Sequence, residues 1–375
     1  MKPDWSEAQE ILCVRLDSIG DVLMTTPALR ALKTSRPGRR ITLLTSRAGT
    51  RLAPLIPEVD EAIEFDAPWM KATDSDLTHD GALIAHLAAR GFDAAVVFTV
   101  YSQNPLPAAY LCYLAGIPLR LAHCRENPYR LLTEWVPEIE PDTLVRHEVR
   151  RQLDLVAAVG CTTADERLSF HVPRRTRTRV ARYLREIGVD PARPLIVAHP
   201  GASAASRRYP PASFAQAARL LAEAGCQIAF TGSREEIALV ASVQEMMDAP
   251  SWSLAGALDL AELGAVIGAA DAVVTNNSSP AHIAAALGTP VVDLYALTNP
   301  QHTPWRVESR VLFQDVPCKY CYKSICPAGH HDCLRLVAPA RVAAAAMELL
   351  TAGGRAADIA AGLPSLAGSV QGEDA

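Results

Sequence analysis

Three short segments carry the side chains with which this chain could do chemistry. The first is Arg15-Leu16-Asp17-Ser18-Ile19-Gly20-Asp21-Val22. Gly20 permits a tight turn or the close approach of a ligand, and Asp21 stands where a helical pattern begins. A carboxylate there can accept the proton of a substrate hydroxyl, although a helix N-cap would employ the same residue. The second segment runs from His199 to Pro210 and reads HPGASAASRRYP. Its small residues expose backbone N–H groups, Ser203 offers a hydroxyl, and Arg207 and Arg208 can clamp phosphate oxygens. The alternative is a surface loop with solvated arginines. The third is Asn276-Asn277-Ser278-Ser279-Pro280-Ala281-His282, which opens a helix with proline in its first turn. Free N–H groups at a helix start bind diphosphate, aided by the helix dipole, and His282 lies one turn in. Neither G-x-G-x-x-G nor G-x-x-x-x-G-K-[ST] occurs, so a dinucleotide fingerprint and a P-loop have no support.

The second and third segments together suggest a nucleotide diphosphate held by the C-terminal half. Asp21 would face it from the N-terminal half. That is the layout of a sugar-nucleotide transferase, with the donor on one side and the base and acceptor on the other. A fourth feature lies apart: Cys318, Cys321, Cys326 and Cys333 fall within 16 residues, with His330 and His331 between the last two. One C-x2-C pair suits Zn2+, and two more thiolates would complete a tetrahedron in a structural site. The spacing lacks the second C-x2-C knuckle of a zinc ribbon, so reduced thiols, a redox pair and an iron–sulfur cluster stay open.

The elements that must position these residues show a repeated alternation. Apolar, β-branched runs at 11–16, 41–46 and 93–100 alternate with helical patterns at 22–35, 105–115 and 147–159. The pattern restarts with strands at 194–199, 227–231, 271–275 and 290–296, separated by helices at 211–224, 234–247, 259–268 and 280–287. Alternation of this kind predicts parallel sheets covered on both faces, here two doubly wound Rossmann-like α/β domains facing across a cleft. The expected boundaries are an N-terminal, acceptor-side domain over 1–172, a linker with an Arg-rich helix over 173–193, and a nucleotide-sugar domain over 194–350 that carries the cysteine cluster. A largely disordered Ala/Gly-rich tail is expected over 351–375.

Composition is that of a soluble globular protein: 375 residues, 49% hydrophobic, 21% charged, net charge −5. The acidic balance speaks against a nucleic-acid partner. No apolar run approaches the ~18 residues of a membrane span, and the first ten residues lack a signal-peptide core, so a cytoplasmic protein is expected. Nine cysteines, an odd number, do not suggest a secreted disulfide framework. Two basic runs stand out. One holds Arg30, Lys33, Arg36, Arg39, Arg40, Arg47 and Arg51 with no acid among them. It could hold the protein against the inner face of a membrane. The other, Arg174 to Arg185, reads as a solvated helix face or an anion site.

The segments RLDSIGDVLMTTPALRALK, PGAS…RRYPPASFAQAARLL and NNSSPAHIAAALGTPVVDLY, in this order and spacing, resemble glycosyltransferase family 9, which includes the ADP-heptose:lipopolysaccharide heptosyltransferases. The cysteine-rich tail also resembles that of heptosyltransferase II-type members. The resemblance runs from about Ile11 to Leu350. It implies a GT-B fold and an inverting transfer, needing no cofactor, from a nucleotide-activated sugar to a lipid-linked saccharide in cell-envelope assembly. It implies Asp21 as general base, with Ser18 and Gly20 in the acceptor-side loop. Ser203, Arg207, Glu236, Asn277, Ser278, Ser279 and His282 fall at donor-site positions. Family members often have Lys where Arg207 stands, Asp where Asn277 stands and Gly where Ser279 stands. The change at 277 removes a charge from the donor site. Two other readings are compatible with these residues: a non-catalytic GT-B-like binding protein, and another sugar-nucleotide enzyme such as a 2-epimerase.

Overall fold

The computed structural model describes residues 4–70 and 77–354. Six strands form the first sheet: β1 (Glu10–Arg15), β2 (Arg40–Thr45), β3 (Glu61–Glu64), β4 (Ala94–Val97), β5 (Leu119–Cys124) and β6 (Glu134–Pro137), ordered β3-β2-β1-β4-β5-β6. Six more form the second: β7 (Leu195–His199), β8 (Gln227–Phe230), β9 (Trp252–Ser253), β10 (Ala272–Asn276), β11 (Val291–Leu294) and β12 (Ser309–Leu312), ordered β12-β11-β10-β7-β8-β9. All neighbours pair in parallel. Both sheets thus have the doubly wound 3-2-1-4-5-6 order, read from the opposite edge in the second. The expected fold class, two Rossmann-like α/β halves of GT-B type, is the observed one.

The central strands are almost wholly apolar and buried, as in Glu10–Arg15 and Leu195–His199, because helices cover both faces. The strands that the sequence pattern leaves out are mostly short edge strands. β3 reads EAIE and β6 reads EWVP; an edge sees water, so polar side chains interrupt the apolar signal. β5 lies inside the sheet but carries Arg120 and His123, both buried.

One core runs continuously from the inner face of the first sheet to that of the second. It passes through the helix Ile19–Thr34, which follows β1, and the helix Ser279–Leu287, which follows β10. These two helices pack on each other, so the start of each is fixed relative to the other. The Arg-rich stretch forms the helix Arg174–Glu186, whose Thr176, Val180 and Leu184 face the helix Leu260–Ala269 while its arginines point to water. The helix Pro339–Ala352 packs on Pro211–Glu223 of the second half and extends into the expected tail by two residues. Gly353 and Gly354 follow it in a turn, and the expected tail from 355 to 375 lies outside the described residues. No helix among the described residues is long and apolar enough to cross a membrane.

The first basic run is not a free cationic face. Arg30 pairs with Glu58 at 3.0 Å, Lys33 with Asp60, Arg36 with Glu7 at 3.0 Å and Arg40 with Glu10 at 3.5 Å. Arg39 is buried and donates to the carbonyls of Trp5, Ala8 and Leu32. Of the seven, Arg51 lines the cleft.

Candidate functional site

In a doubly wound sheet the strand order reverses between two central strands, and ligands bind beyond their carboxyl ends. Those strands are β1 and β4 in the first sheet and β7 and β10 in the second. The three chemistry-bearing segments follow β1, β7 and β10. They converge on a cleft of about 1010 Å³ between the halves, at the upper end of the usual size for a small-molecule site. Ser18, Gly20, Asp21, Ser203, Arg207, Glu236, Asn277, Ser278, Ser279 and His282 all line it.

Asp21 is the third residue of its helix, and Ser18 is the cap. The Asp21 carboxylate accepts from the Ser18 N–H at 3.2 Å and the Ser18 hydroxyl at 2.7 Å. A capping function and a place in the cleft therefore coexist in this residue. Arg15, fully buried at the end of β1, reaches Asp21 at 3.3 Å. Burial opposes ionisation of Asp21, but Arg15 and the Ser18 hydroxyl outweigh it and hold the carboxyl down, at about 2.

Gly20 is required by a neighbour within the fold. A methyl group at position 20 would lie 2.7 Å from Cδ2 of His282. His282 thus closes the contact between the two helix starts, with its ring on the backbone of the Asp21 loop. Burial pushes its pKa down to about 3, so the ring is neutral at pH 7. The neutral ring lines the cleft.

The opposite wall of the cleft has a distinct chemistry. Arg207 ends the short 3-10 turn Ala205–Arg207 and forms no ion pair among the described residues, although it acts electrostatically on His282, Asp293 and His302. Arg208 donates to the Ala202 carbonyl at 2.8 Å, which braces the loop, and Ser203 is exposed at the rim. Ser278 caps the helix Ser279–Leu287 in extended conformation without a side-chain bond to the first turn. Its hydroxyl donates instead to the Asn276 carbonyl at 3.1 Å. Pro280 has no N–H and the Ala281 N–H donates to the Ser278 carbonyl at 3.0 Å, which leaves the Ser279 N–H of the first turn for a ligand.

Glu236 closes a capping box, accepting from the Ser233 N–H at 2.8 Å. Its carboxylate lies so close to Gly201 that any side chain at 201 would overlap it. Glycine is needed there for that approach. Asn277 is less available than the sequence suggests: its amide donates to Asp293 at 3.0 Å and to the His302 carbonyl at 2.7 Å. Burial raises the Asp293 carboxyl to about 7, against the pull of Asn277 and Arg207. A buried carboxylate, Asp293, thus stands directly behind Asn277.

Sequence reasoning assigned no role to four further residues of this site: Arg15, Asp17, Asp293 and His302. Arg15 and Asp293 had a signal, a charge inside an apolar strand pattern. His302, buried on the cleft wall, had none.

The cysteine cluster stands outside the cleft. All four thiols are free, and Cys318 Sγ lies 3.7 Å from His330 Nε2. His330 Nδ1 accepts from the Asp332 N–H at 2.9 Å, which leaves the hydrogen on Nε2 and directs it at the thiol. Among the described residues no three His, Cys, Asp or Glu side chains form a group that could hold a metal. The segment is tied to the loop that follows β7, since the Ser206 hydroxyl donates to the Lys323 carbonyl at 2.8 Å.

The sequence model of glycosyltransferase family 9 (heptosyltransferase) matches residues 81–331. The chain belongs to glycosyltransferase family 9. It is similar to lipopolysaccharide heptosyltransferase 2 of Salmonella typhimurium, 26% identical over 343 residues, covering 89% of this chain and 96% of that one. Among solved structures it resembles the family 9 glycosyl transferase of Veillonella parvula, with a TM-score of 0.78, 23% identity, and 94% and 99% of the two chains covered. It also resembles the Escherichia coli heptosyltransferase WaaC with ADP-2-deoxy-2-fluoro heptose, with a TM-score of 0.62, 20% identity, and 89% and 98% covered. The protein is a heptosyltransferase-like glycosyltransferase of GT-B fold.

Proposed function

We infer that this enzyme transfers a heptose, with inversion, from an ADP-linked donor to a lipid-linked saccharide of the lipopolysaccharide core, with Asp21 as general base. The observation that carries the reading is the opposition across one cleft of an ionised carboxylate, Asp21, to a guanidinium without an ion pair among the described residues, Arg207, and the start of the helix Ser279–Leu287. The names of the relatives support heptose and ADP. Leu239, Leu258 and Leu263 offer the nucleoside base an apolar wall, and Glu236 is placed to accept from a ribose hydroxyl.

In this reading Asp21 removes the proton of the acceptor hydroxyl as its oxygen attacks the anomeric carbon. The bond from that carbon to the diphosphate oxygen breaks, and the electron pair leaves with the diphosphate. Arg207 and the Ser279 N–H at the start of its helix face the charge that develops there.

The test joins turnover to binding. Asp21→Asn should lower kcat by about 10²- to 10⁴-fold, the usual range for losing a general base, while leaving ADP affinity unchanged by calorimetry. Arg207→Ala should weaken ADP binding about 10- to 100-fold, the worth of a charged hydrogen bond. Full turnover in Asp21→Asn would remove the base assignment. Thermal stabilisation by UDP or GDP in preference to ADP would discard the heptose donor. Conversion of the donor without any acceptor would favour an epimerase.

A further inference from the structure

Beneath the cleft one buried guanidinium is shared by three carboxylates. Asp17, Asp21 and Glu148 approach Arg15 at 3.0, 3.3 and 2.9 Å, each on a different nitrogen. Three negative charges meet one positive charge, so no carboxylate has Arg15 to itself. Glu148 is wholly buried and also accepts from Gln152 at 2.7 Å. Asp17 and Asp21 differ in their remaining partners. Asp21 is held by Ser18 and faces the cleft, whereas Asp17 does not line it and accepts from Gln103 Nε2 at 2.5 Å. The other titratable groups around Asp21 are His282 and His302, with His147 beyond them; burial disfavours the cation in all three. The next guanidinium, Arg151, is occupied by Glu138 and Glu140.

We propose that Asp17 is a positioning residue for the transfer step: by holding one side of the Arg15 guanidinium it prevents Arg15 from fully neutralising Asp21, and so keeps Asp21 basic enough to take the acceptor proton. This rests on the reading of Asp21 as the base. A carboxylate paired to a buried arginine alone is a poor proton acceptor, and a like charge on the same arginine restores part of its basicity. When the acceptor proton arrives, Asp21 becomes neutral and Arg15 is left to Asp17 and Glu148. The charge balance of the cluster then improves as the base is protonated. Asp21 returns its proton to water when product leaves.

The sign of the pH dependence follows. Burial and the charge of Asp21 raise the Asp17 carboxyl to about 6, against the pull of Arg15. Below that pH Asp17 is neutral, Arg15 belongs to Asp21, and transfer slows.

The experiment is the pH dependence of kcat/KM for the acceptor in the full-length enzyme, its Asp17→Asn and Asp17→Glu variants, with ADP affinity measured alongside. The wild type should lose activity as pH falls through about 6. Asp17→Asn mimics the protonated state: its plateau should be about tenfold lower, its acid limb should move at least one pH unit down, and ADP affinity should stay within about twofold. Asp17→Glu should restore most of the plateau. A wild-type plateau and limb in Asp17→Asn would overturn the proposal, and so would ADP binding weakened as much as the rate. If Asp17→Asn does not fold, Gln103→Leu removes a bond that favours ionised Asp17 and should move the acid limb upward; an unmoved limb would overturn it equally. Asp21→Asn separates the two ideas. Turnover surviving in that variant defeats the base assignment, whereas an inactive Asp21→Asn beside an unmoved Asp17→Asn profile defeats only the role of Asp17.

Discussion

At the scale of single residues, this site is built by close approach as much as by charge. Gly20 has a helical conformation that any residue could adopt; what it lacks is a Cβ, and His282 occupies the space. The ring is buried at the contact between the two halves, so it has little room to retreat. Gly20→Ala should therefore cost about 1–3 kcal/mol, the usual penalty of overpacking a filled interior. It should also lower turnover, because the residue displaced is the one beside Asp21. Thermal melting and kcat measured together check this. A variant as stable and as active as the wild type would show that the helix starts slide apart freely. Asp21 itself was legible from its loop, although cap and base could not be told apart there. The structure gives the cap to Ser18 and leaves Asp21 both bonded to it and facing the cleft.

At the scale of elements, the order of strands and helices was readable because both sheets are parallel and buried, which writes each central strand as an apolar run. The Arg-rich helix was also legible, since Thr176, Val180 and Leu184 repeat at helical spacing among solvated arginines. Edge strands and the turns near the cysteines were not, because their residues answer to water and local hydrogen bonds. Asn277 shows what a motif cannot tell. Position by position it reads as a lost charge, but the strand beside it supplies Asp293, which the Asn277 amide satisfies. Asn277→Asp would place two carboxylates about 3 Å apart and aim one at the His302 carbonyl. One of the pair must then hold a proton. The variant should be destabilised by about 1–3 kcal/mol, the cost of leaving buried polar groups unpaired. The deficit should be larger at pH 8 than at pH 6, since the shared proton is lost as pH rises. Urea unfolding at the two pH values decides; an equal deficit at both would mean that Asp293 already carries a proton.

For the whole molecule, the same buried contact that aligns the two helix starts makes stability depend on pH. His123, His147 and His282 are held neutral by burial, with pKa values of about 3, 4 and 3, and His302 is shifted in the same direction. A histidine whose folded pKa lies below its unfolded value near 6.5 takes up its proton on unfolding, so its protonation favours the unfolded chain. Its contribution is complete above about 6.5 and is lost as pH falls, roughly 2 kcal/mol for each such histidine at pH 5. Asp17 and Asp293 act in the opposite sense. Their folded values, about 6 and about 7, lie above the unfolded carboxyl, so protonation near neutrality stabilises the fold and offsets part of the loss. Histidines outnumber these carboxylates, and the net effect between pH 7.5 and pH 5 is destabilisation by a few kcal/mol. Three of the four histidines, His147, His282 and His302, interact electrostatically with one another across the join between the halves. The acid loss should accordingly appear first as a weakened contact between the halves, with ligand binding in the cleft impaired before the sheets melt. Calorimetric melting across this range, with ADP binding followed in parallel, should show net proton uptake on unfolding below pH 6.5. A melting temperature that holds or rises down to pH 5 would mean that these histidines reach water in the folded protein.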